Sequence, residues 1–442
     1  MKDRAPTIAV LGASGLIGME VTRFLTQAGL SVVPFARRLG SAQRQALGPA
    51  ARTVPFLDLD TGALSRMLAD ANADVVINCV GILQDGPTGQ TSPVHEDFVA
   101  RLLAATGALD RPLLLIHLSV PGDASGDATA FSLSKRHAEN LIAQSGLAHV
   151  IIRPGFVIAP SAFGGSALIR GLAALPFDLP PLERSRPFAA TAVDDIGQTC
   201  RIAIETWRAA HHHRAQTWDV MEAVPGTVGD VLDRFRLLLG GPRAAIALPS
   251  WAMDLGARLG DCAGALGWSP PIRTTALREM RRGVEGNPAA WMEATGITPA
   301  TLADAAGRLR PSIQEIWFSR LYLLKAVILV ALAAFWIASG VVALTVAFGA
   351  AVEILTRNGI PPGAATALTI LTSLGDIAIG AAIAVRRTSS IGLLAGIAVA
   401  LGYAGASVFV APELWIDPLG SMLKIVPAVL LMLVALALQP NR

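Results

Sequence analysis

An apolar run from Ile8 to Leu11 is interrupted by Gly12, Gly15 and Gly18, and apolar residues then return at helical spacing with Ile17, Val21, Phe24 and Leu25. That order reads as strand, tight turn, helix. Glycine lets the main chain bend sharply and come close to a ligand, while the free N–H groups of a helix start face an anion. The turn is therefore expected to hold the pyrophosphate of a dinucleotide through Gly12, Ser14, Gly15, Leu16 and Ile17.

From Thr7 to about Val157, short β-type runs alternate with helical patterns, the pattern of a parallel sheet covered on both faces. The expected strands are Thr7 to Leu11, Ser31 to Ala36, Arg52 to Leu57, Val75 to Cys79, Leu113 to Leu118 and His149 to Arg153. This is a Rossmann-type, doubly wound α/β pattern. At the end of the second strand an acidic residue would bind a ribose 2′-hydroxyl. Here Arg37 and Arg38 stand there instead, which favours a 2′-phosphate and so NADP(H) over NAD(H). Asp58 and Leu59, after the third strand, are placed to meet the adenine. Val80 and Gly81 follow the fourth strand, and Ser119 ends the fifth. A helical pattern over Ala128 to Leu141 then carries Phe131 one turn before Lys135.

These pieces together, G-A-S-G-L-I-G, N-C-V-G, Ser119, S-K-R-H-A-E, Arg153-Pro154-Gly155 and Val193-Asp194-Asp195, resemble an atypical extended short-chain dehydrogenase/reductase. The branch they are most similar to contains the accessory NADPH-binding subunit of respiratory complex I and the NmrA-like proteins. The resemblance implies that Lys135 and Ser119 are the catalytic positions and that Lys135 also binds the nicotinamide ribose. It also implies that Pro154, Gly155, Phe156 and Val157 cover the nicotinamide. It further implies a tyrosine four residues before the lysine as proton donor, and this chain has Phe131 there. Cofactor binding survives that exchange, whereas ordinary carbonyl reduction does not follow from it. His137 lies on another face of the helix, and a capping role for one of Asp194 and Asp195 is expected at the start of the helix that follows them.

After Pro311 the composition changes. Residues 322–348, 364–385, 391–411 and 419–438 are predominantly apolar, each near or above the roughly 20 residues that a membrane-spanning helix needs. Four spans are expected, with Gly375, Gly380, Gly392, Gly396, Gly402 and Gly405 suited to close packing and with Lys424 inside the fourth. Asp376 lies in the middle of the second, an intramembrane functional candidate by default. Span number and small-residue pattern resemble the DoxX-like membrane family, whose members are linked to redox or quinone chemistry. Basic residues near the spans, Arg320, Lys325, Arg386 and Arg387, place both termini and the dinucleotide domain on the cytoplasmic side of the inner membrane.

The expected layout is a dinucleotide-binding domain over 1–214, a mainly helical continuation over 215–315, and the membrane part over 316–442. A formal charge of +3 without a basic and aromatic cluster gives no footprint for nucleic acid. The adjacent His211, His212 and His213 cannot all face one ion, so no metal site is expected. Three functions remain open. One is an oxidoreductase passing reducing equivalents from NADP(H) to a quinone or another lipid-soluble acceptor. The second is a non-catalytic NADP(H)-binding sensor or assembly factor. A nucleotide-sugar epimerase or dehydratase is the third.

Overall fold

The computed structural model describes residues 4–83, 91–210, 215–416, 418, 420 and 422–439; the three consecutive histidines lie outside them. The chain divides into two compact units, Met1–Asp261 with Pro270–Arg320, and Cys262–Ser269 with Leu321–Arg442.

In the first unit the strands are β1 (Thr7–Leu11), β2 (Ser31–Ala36), β3 (Arg52–Thr53), β4 (Ala73–Asn78), β5 (Leu114–Leu118), β6 (Ala148–Pro154), β7 (Phe156–Ile158), β8 (Phe177–Asp178), β9 (Ala190–Ala192), β10 (Ala215–Val220) and β11 (Ile246–Ala247). Seven of them form one parallel sheet in the order β10, β6, β5, β4, β1, β2, β3. The sequence reverses direction across β1 and β4, which opens a crevice at the carboxyl ends of these strands. Alternation along each strand feeds two cores. Ile8, Val10, Val75 and Ile77 pack with Val21, Leu25, Ile196 and Cys200 on one face. Ala9, Leu11 and Val76 pack with Leu64, Leu68, Phe98 and Leu102 on the other. Because both faces are covered, the central strands are predominantly apolar.

The third strand is shorter than its sequence suggests. It pairs only with β2, and Pro55 has no N–H to offer a ladder, so pairing ends once Val54 has donated to the Ala36 carbonyl. Asp194 and Asp195 both stand in the first turn of the helix Val193–Ala210; the Asp195 carboxylate accepts from the Ala300 N–H at 3.0 Å, while Asp194 faces Arg308. A third core, built around Val231, Leu232, Phe235, Met253 and Leu277, gathers the mainly helical continuation.

The second unit holds a helical bundle. Three helices, Ile313–Leu344, Pro362–Ala384 and Ser389–Val410, are long and apolar enough to cross a membrane. The fourth expected span is corrected to a helix of 13 residues, Ile425–Ala437, which rises only about 20 Å. Pro427 is the reason. It is tolerated in a first turn, where its missing N–H has no partner to lose, but further upstream helix would clash with its ring. Lys424 therefore sits outside the helix, exposed, at its N-terminal edge. A separate helix, Phe348–Arg357, which no apolar run announces, follows the first span. Small residues permit close contact where helices cross. A side chain at Gly380 would meet the Ala333 carbonyl at 2.7 Å, and one at Gly396 would meet Met432 Sδ at 2.9 Å. Gly375, Gly402 and Gly405 have open space instead. The last helix returns to the starting level of the third. Arg386 Nη1 donates to Gln439 Oε1 at 2.8 Å, and Gln439 Nε2 donates to Ser389 Oγ at 2.9 Å.

Candidate functional site

The glycine turn is a tight cradle at the switch point of the sheet. Gly12 has a φ of +84°, and a Cβ there would lie 3.1 Å from the Cys79 carbonyl, so the position excludes other residues. At Gly18 a Cβ would fall 2.4 Å from the Gly12 carbonyl oxygen, which lets the helix Leu16–Gln27 begin directly against the turn. Gly12 and Ala13 both donate to the Phe35 carbonyl and so pin the turn to β2. Gly15 caps the helix without a side-chain hydrogen bond and no acid stands in its first turn. The first-turn N–H groups, which have no helical acceptor, are thus left for an anion.

Around this turn the structure gathers most of the expected residues. Arg37 and Arg38 are exposed just past β2, and neither forms an ion pair with a carboxylate among the described residues. Asp58 is exposed beyond β3 with Leu59 half-buried beside it. Val80 is fixed by its own N–H, which donates to Asn78 Oδ1 at 3.1 Å.

The helix Ala130–Gln144 carries the other half of the site. Thr129 caps it, accepting from the Ser132 N–H, while Ser132 Oγ accepts from the Thr129 N–H. That box sets the helical phase so that Phe131 and Lys135, one turn apart, face the carboxyl ends of β4 and β5. Lys135 is 4% exposed, and its ammonium donates to the Leu118 carbonyl at 2.8 Å and the Val80 carbonyl at 3.1 Å. Burial lowers its pKa to about 8, partly offset by the Glu139 carboxylate. Gly81 passes beside it, since a Cβ there would lie 3.4 Å from Lys135 Nζ. Burial pushes the Cys79 thiol up to about 12, so this sulfur stays protonated.

Phe131 occupies the place expected for a proton donor and makes an edge contact with the His95 ring, centroids 5.6 Å apart at 70°. His95 is absent from the sequence reading. Its Nε2 accepts from the Ile82 N–H at 3.1 Å, which leaves the proton on Nδ1, 2.8 Å from Ser134 Oγ; Ser134 in turn donates to the Phe131 carbonyl. Burial, with the Lys135 charge adding to it, holds His95 down at about 2, so the ring is neutral and fully committed to structure. His117, buried on β5, accepts from Asn78 Nδ2 and is likewise kept neutral by burial and Lys135. Its lone signal in sequence was the polar residue inside an apolar strand. His137 is exposed on the opposite side, as its spacing requires.

Ser119 Oγ lies buried beside Glu139 without reaching hydrogen-bond geometry to it. Glu139 bridges Arg153, at 2.5 Å, and Arg136, at 3.2 Å. Burial raises its pKa, but the Arg153 hydrogen bonds and the two guanidinium charges outweigh this and hold it below the usual carboxylate range. After Pro154, the Gly155 N–H donates to Thr191 Oγ at 2.8 Å and the Phe156 N–H to the Ala189 carbonyl at 2.7 Å. Those two donors are used, so the Gly155 and Phe156 N–H groups are not free for a cofactor, and contacts from them are left to carbonyls and the Phe156 ring.

In the second unit Asp376 is buried between helices. Tyr403 donates to its Oδ1 at 2.9 Å and Ser339 to its Oδ2 at 3.4 Å, so both oxygens are satisfied by neighbouring helices.

Residues 8–175 match the NAD dependent epimerase/dehydratase family, and residues 333–433 match the DoxX-like family. The chain thus joins a Rossmann domain of the epimerase and short-chain dehydrogenase type to a C-terminal DoxX-like domain. Among solved structures it is similar to UDP-glucuronic acid 4-epimerase from Bacillus cereus in complex with UDP-glucuronic acid and NAD (16% identity, 72% of this chain, 99% of that chain, TM-score 0.51). UDP-glucose 4-epimerase from Thermotoga maritima with UDP-glucose is similar at 14% identity over 72% of this chain and 99% of that chain, TM-score 0.51. The human epimerase family protein SDR39U1 (isoform 2) with NADPH aligns at 18% identity over 69% of this chain and 99% of that chain, TM-score 0.51. At such identities the likeness establishes the fold. No curated protein matches the chain in sequence.

Proposed function

We propose that this chain is a membrane-anchored NADP(H)-binding protein that passes reducing equivalents to a lipid-soluble acceptor of the quinone class. One observation carries the reading. A dinucleotide cradle with its lysine in place has no proton donor at position 131 and is joined to helices fit to span a membrane. The residues fit the cofactor: Gly12, Ser14, Gly15, Leu16 and Ile17 for the pyrophosphate, Arg37 and Arg38 for the 2′-phosphate, Asp58 and Leu59 for the adenine. Val80, Gly81, Ser119, Lys135 and Pro154 to Val157 flank the nicotinamide end. The bound nicotinamide supplies a hydride. A quinone accepts hydride without a tyrosine acid at the carbon centre and takes its proton from water, so Phe131 is compatible with turnover. Lys135 holds the ribose, and the phenyl ring, His95 and Val80 keep that wall of the site apolar.

The packing of Phe131 on His95 also favours a second reading, an NADP(H)-binding sensor or assembly factor without turnover. The epimerase reading is weaker, because the sugar proton transfer that it requires has no donor at position 131. The full chain in lipid nanodiscs separates these readings: NADPH oxidation with quinone analogues supports the first, and bound nucleotide with no turnover on any acceptor supports the second. Failure to bind either nucleotide removes both.

For the side of the membrane, Lys325, Arg386 and Arg387 favour a cytoplasmic dinucleotide unit. The Gln439 contacts with Arg386 and Ser389 support a C-terminal end at the same level. The division at 1–214, 215–315 and 316–442 is proposed as the functional layout.

A further inference from the structure

Polar side chains lead to Asp376 from one end of the helical bundle and not from the other. On the helix Pro362–Ala384 the two turns before it carry Thr369, Thr372 and Ser373. At about 100° per residue these three and Asp376 share an arc of roughly 100°. The same face continues beyond Asp376 as Ile379, Gly380 and Ile383, all buried and none with a hydroxyl. The helix Ser389–Val410 is divided in the same way. Between Ser389 at its start and Tyr403, its buried face is Gly392, Leu393, Gly396 and Ala400; Tyr403 and Ser407, one turn apart, follow.

The hydroxyls gather around the carboxyl. Tyr403 donates to Asp376 Oδ1, and Thr372 Oγ1 lies beside the phenol oxygen. Ser339, exposed on the helix Ile313–Leu344, donates to Oδ2. One turn beyond Tyr403, Ser407 Oγ accepts from Trp415 Nε1 at 3.0 Å, and at that end of the bundle the Asn358 amide donates to Glu413 Oε1 at 3.3 Å. No charged group faces Asp376 among the described residues: Glu353 pairs with Arg357, and Lys325 lies near the far end of its helix. Toward Ala384 the carboxyl is closed off by an apolar core that includes Trp336, Ile379, Ile383, Leu393 and Met432. Trp336 Nε1, one turn from Ser339, is buried without an acceptor, and a Cβ at Gly396 would lie 3.2 Å from it. The level of the carboxyl thus also holds an unused donor. Ionisable groups at such depth mark proton relays and ion paths, and hydroxyls are the side chains that pass a proton without holding a charge.

We propose that Asp376 is a proton-binding site in exchange with the aqueous phase at the Glu413 end of the bundle, by way of Tyr403, Thr372 and Ser407, and closed toward the Arg386 end. One proton moves and no electrons do: the Tyr403 hydroxyl gives its proton to the Asp376 carboxylate and regains one from the side of Thr372. The inference rests on the membrane-spanning reading of the C-terminal helices and is independent of nucleotide chemistry.

Infrared difference spectra of the full chain in lipid nanodiscs test it through the carbonyl stretch of a protonated carboxyl. The expected result is one such band that shifts down in D2O and is missing in Asp376→Asn. Asp376→Glu is expected to keep a displaced band, so the assignment stands on two variants. Tyr403→Phe is expected to move the band by removing a hydrogen bond, and with Thr372→Val to slow its deuterium exchange several-fold. Ser390→Ala, which removes an exposed hydroxyl at the other end, is expected to leave the rate unchanged. An unaltered band pattern in Asp376→Asn at acid and neutral pH, or a band that D2O does not move, overturns the inference and leaves the spanning reading intact. Slowing by Ser390→Ala as large as that by the double variant overturns the one-sided path. Failure of the chain to co-migrate with the discs overturns both the inference and the spanning reading.

Discussion

The ammonium of Lys135 has its two hydrogen bonds from main-chain carbonyls, so its place depends on the strand ends rather than on neighbouring side chains. With a pKa near 8 it is charged below that pH and neutral above it. NADPH affinity is therefore expected to fall as pH rises through about 8, and Lys135→Met is expected to remove that step in a fluorescence titration. Stability moves the other way. The folded pKa lies below the ordinary 10.5, so the unfolded chain binds more protons between the two values and stability of the free protein rises with pH across that window. Arg37→Ala with Arg38→Ala is expected to weaken NADPH binding by about 10-fold to 100-fold, the loss of charge-assisted phosphate contacts, while NADH binding changes little. Phe131→Tyr restores one hydroxyl a turn before Lys135, and its expected effect is the appearance of carbonyl reduction in a turnover assay. An unchanged null result would show that the substrate pocket, and not only the proton donor, has departed from the reductase pattern.

Among the elements, the glycine contacts set the tolerances. Gly18→Val drives a side chain into the Gly12 carbonyl and is expected to cost at least about 2 kcal/mol in thermal unfolding and to abolish nucleotide binding. Gly380→Val meets Ile337 and the Ala333 carbonyl and is expected to destabilise the bundle by about 1–3 kcal/mol, whereas Gly375→Val, in open space, is expected to be neutral. The same features explain what could be read beforehand. Central strands buried on both faces are legible as apolar runs, and β1 and β2 match their expected limits. The edge strand β3 is not, because its end is decided by Pro55 and a single neighbour. Gly12, Lys135 and Phe131 are legible because they lie in local patterns. His95 is not. Its role comes from Ser134, 39 residues away, and no periodicity announces such a contact.

For the whole molecule, the shift from an α/β pattern to apolar helices after Pro311 was plain in sequence, and so was the number of apolar runs. How long a helix each run makes was not, because Pro427 acts on the main chain and not on hydropathy. That short helix has a consequence for the solvent around it. Its C-terminal end is tied to Arg386 and Ser389 through Gln439, yet it rises only about 20 Å, well under a hydrocarbon core of about 30 Å. Lipid beside it must thin, or the polar turn at Lys424 must be drawn inward, at fractions of a kcal/mol per Å. The expected outcome is a melting temperature that rises in shorter-chain lipids and falls in longer ones.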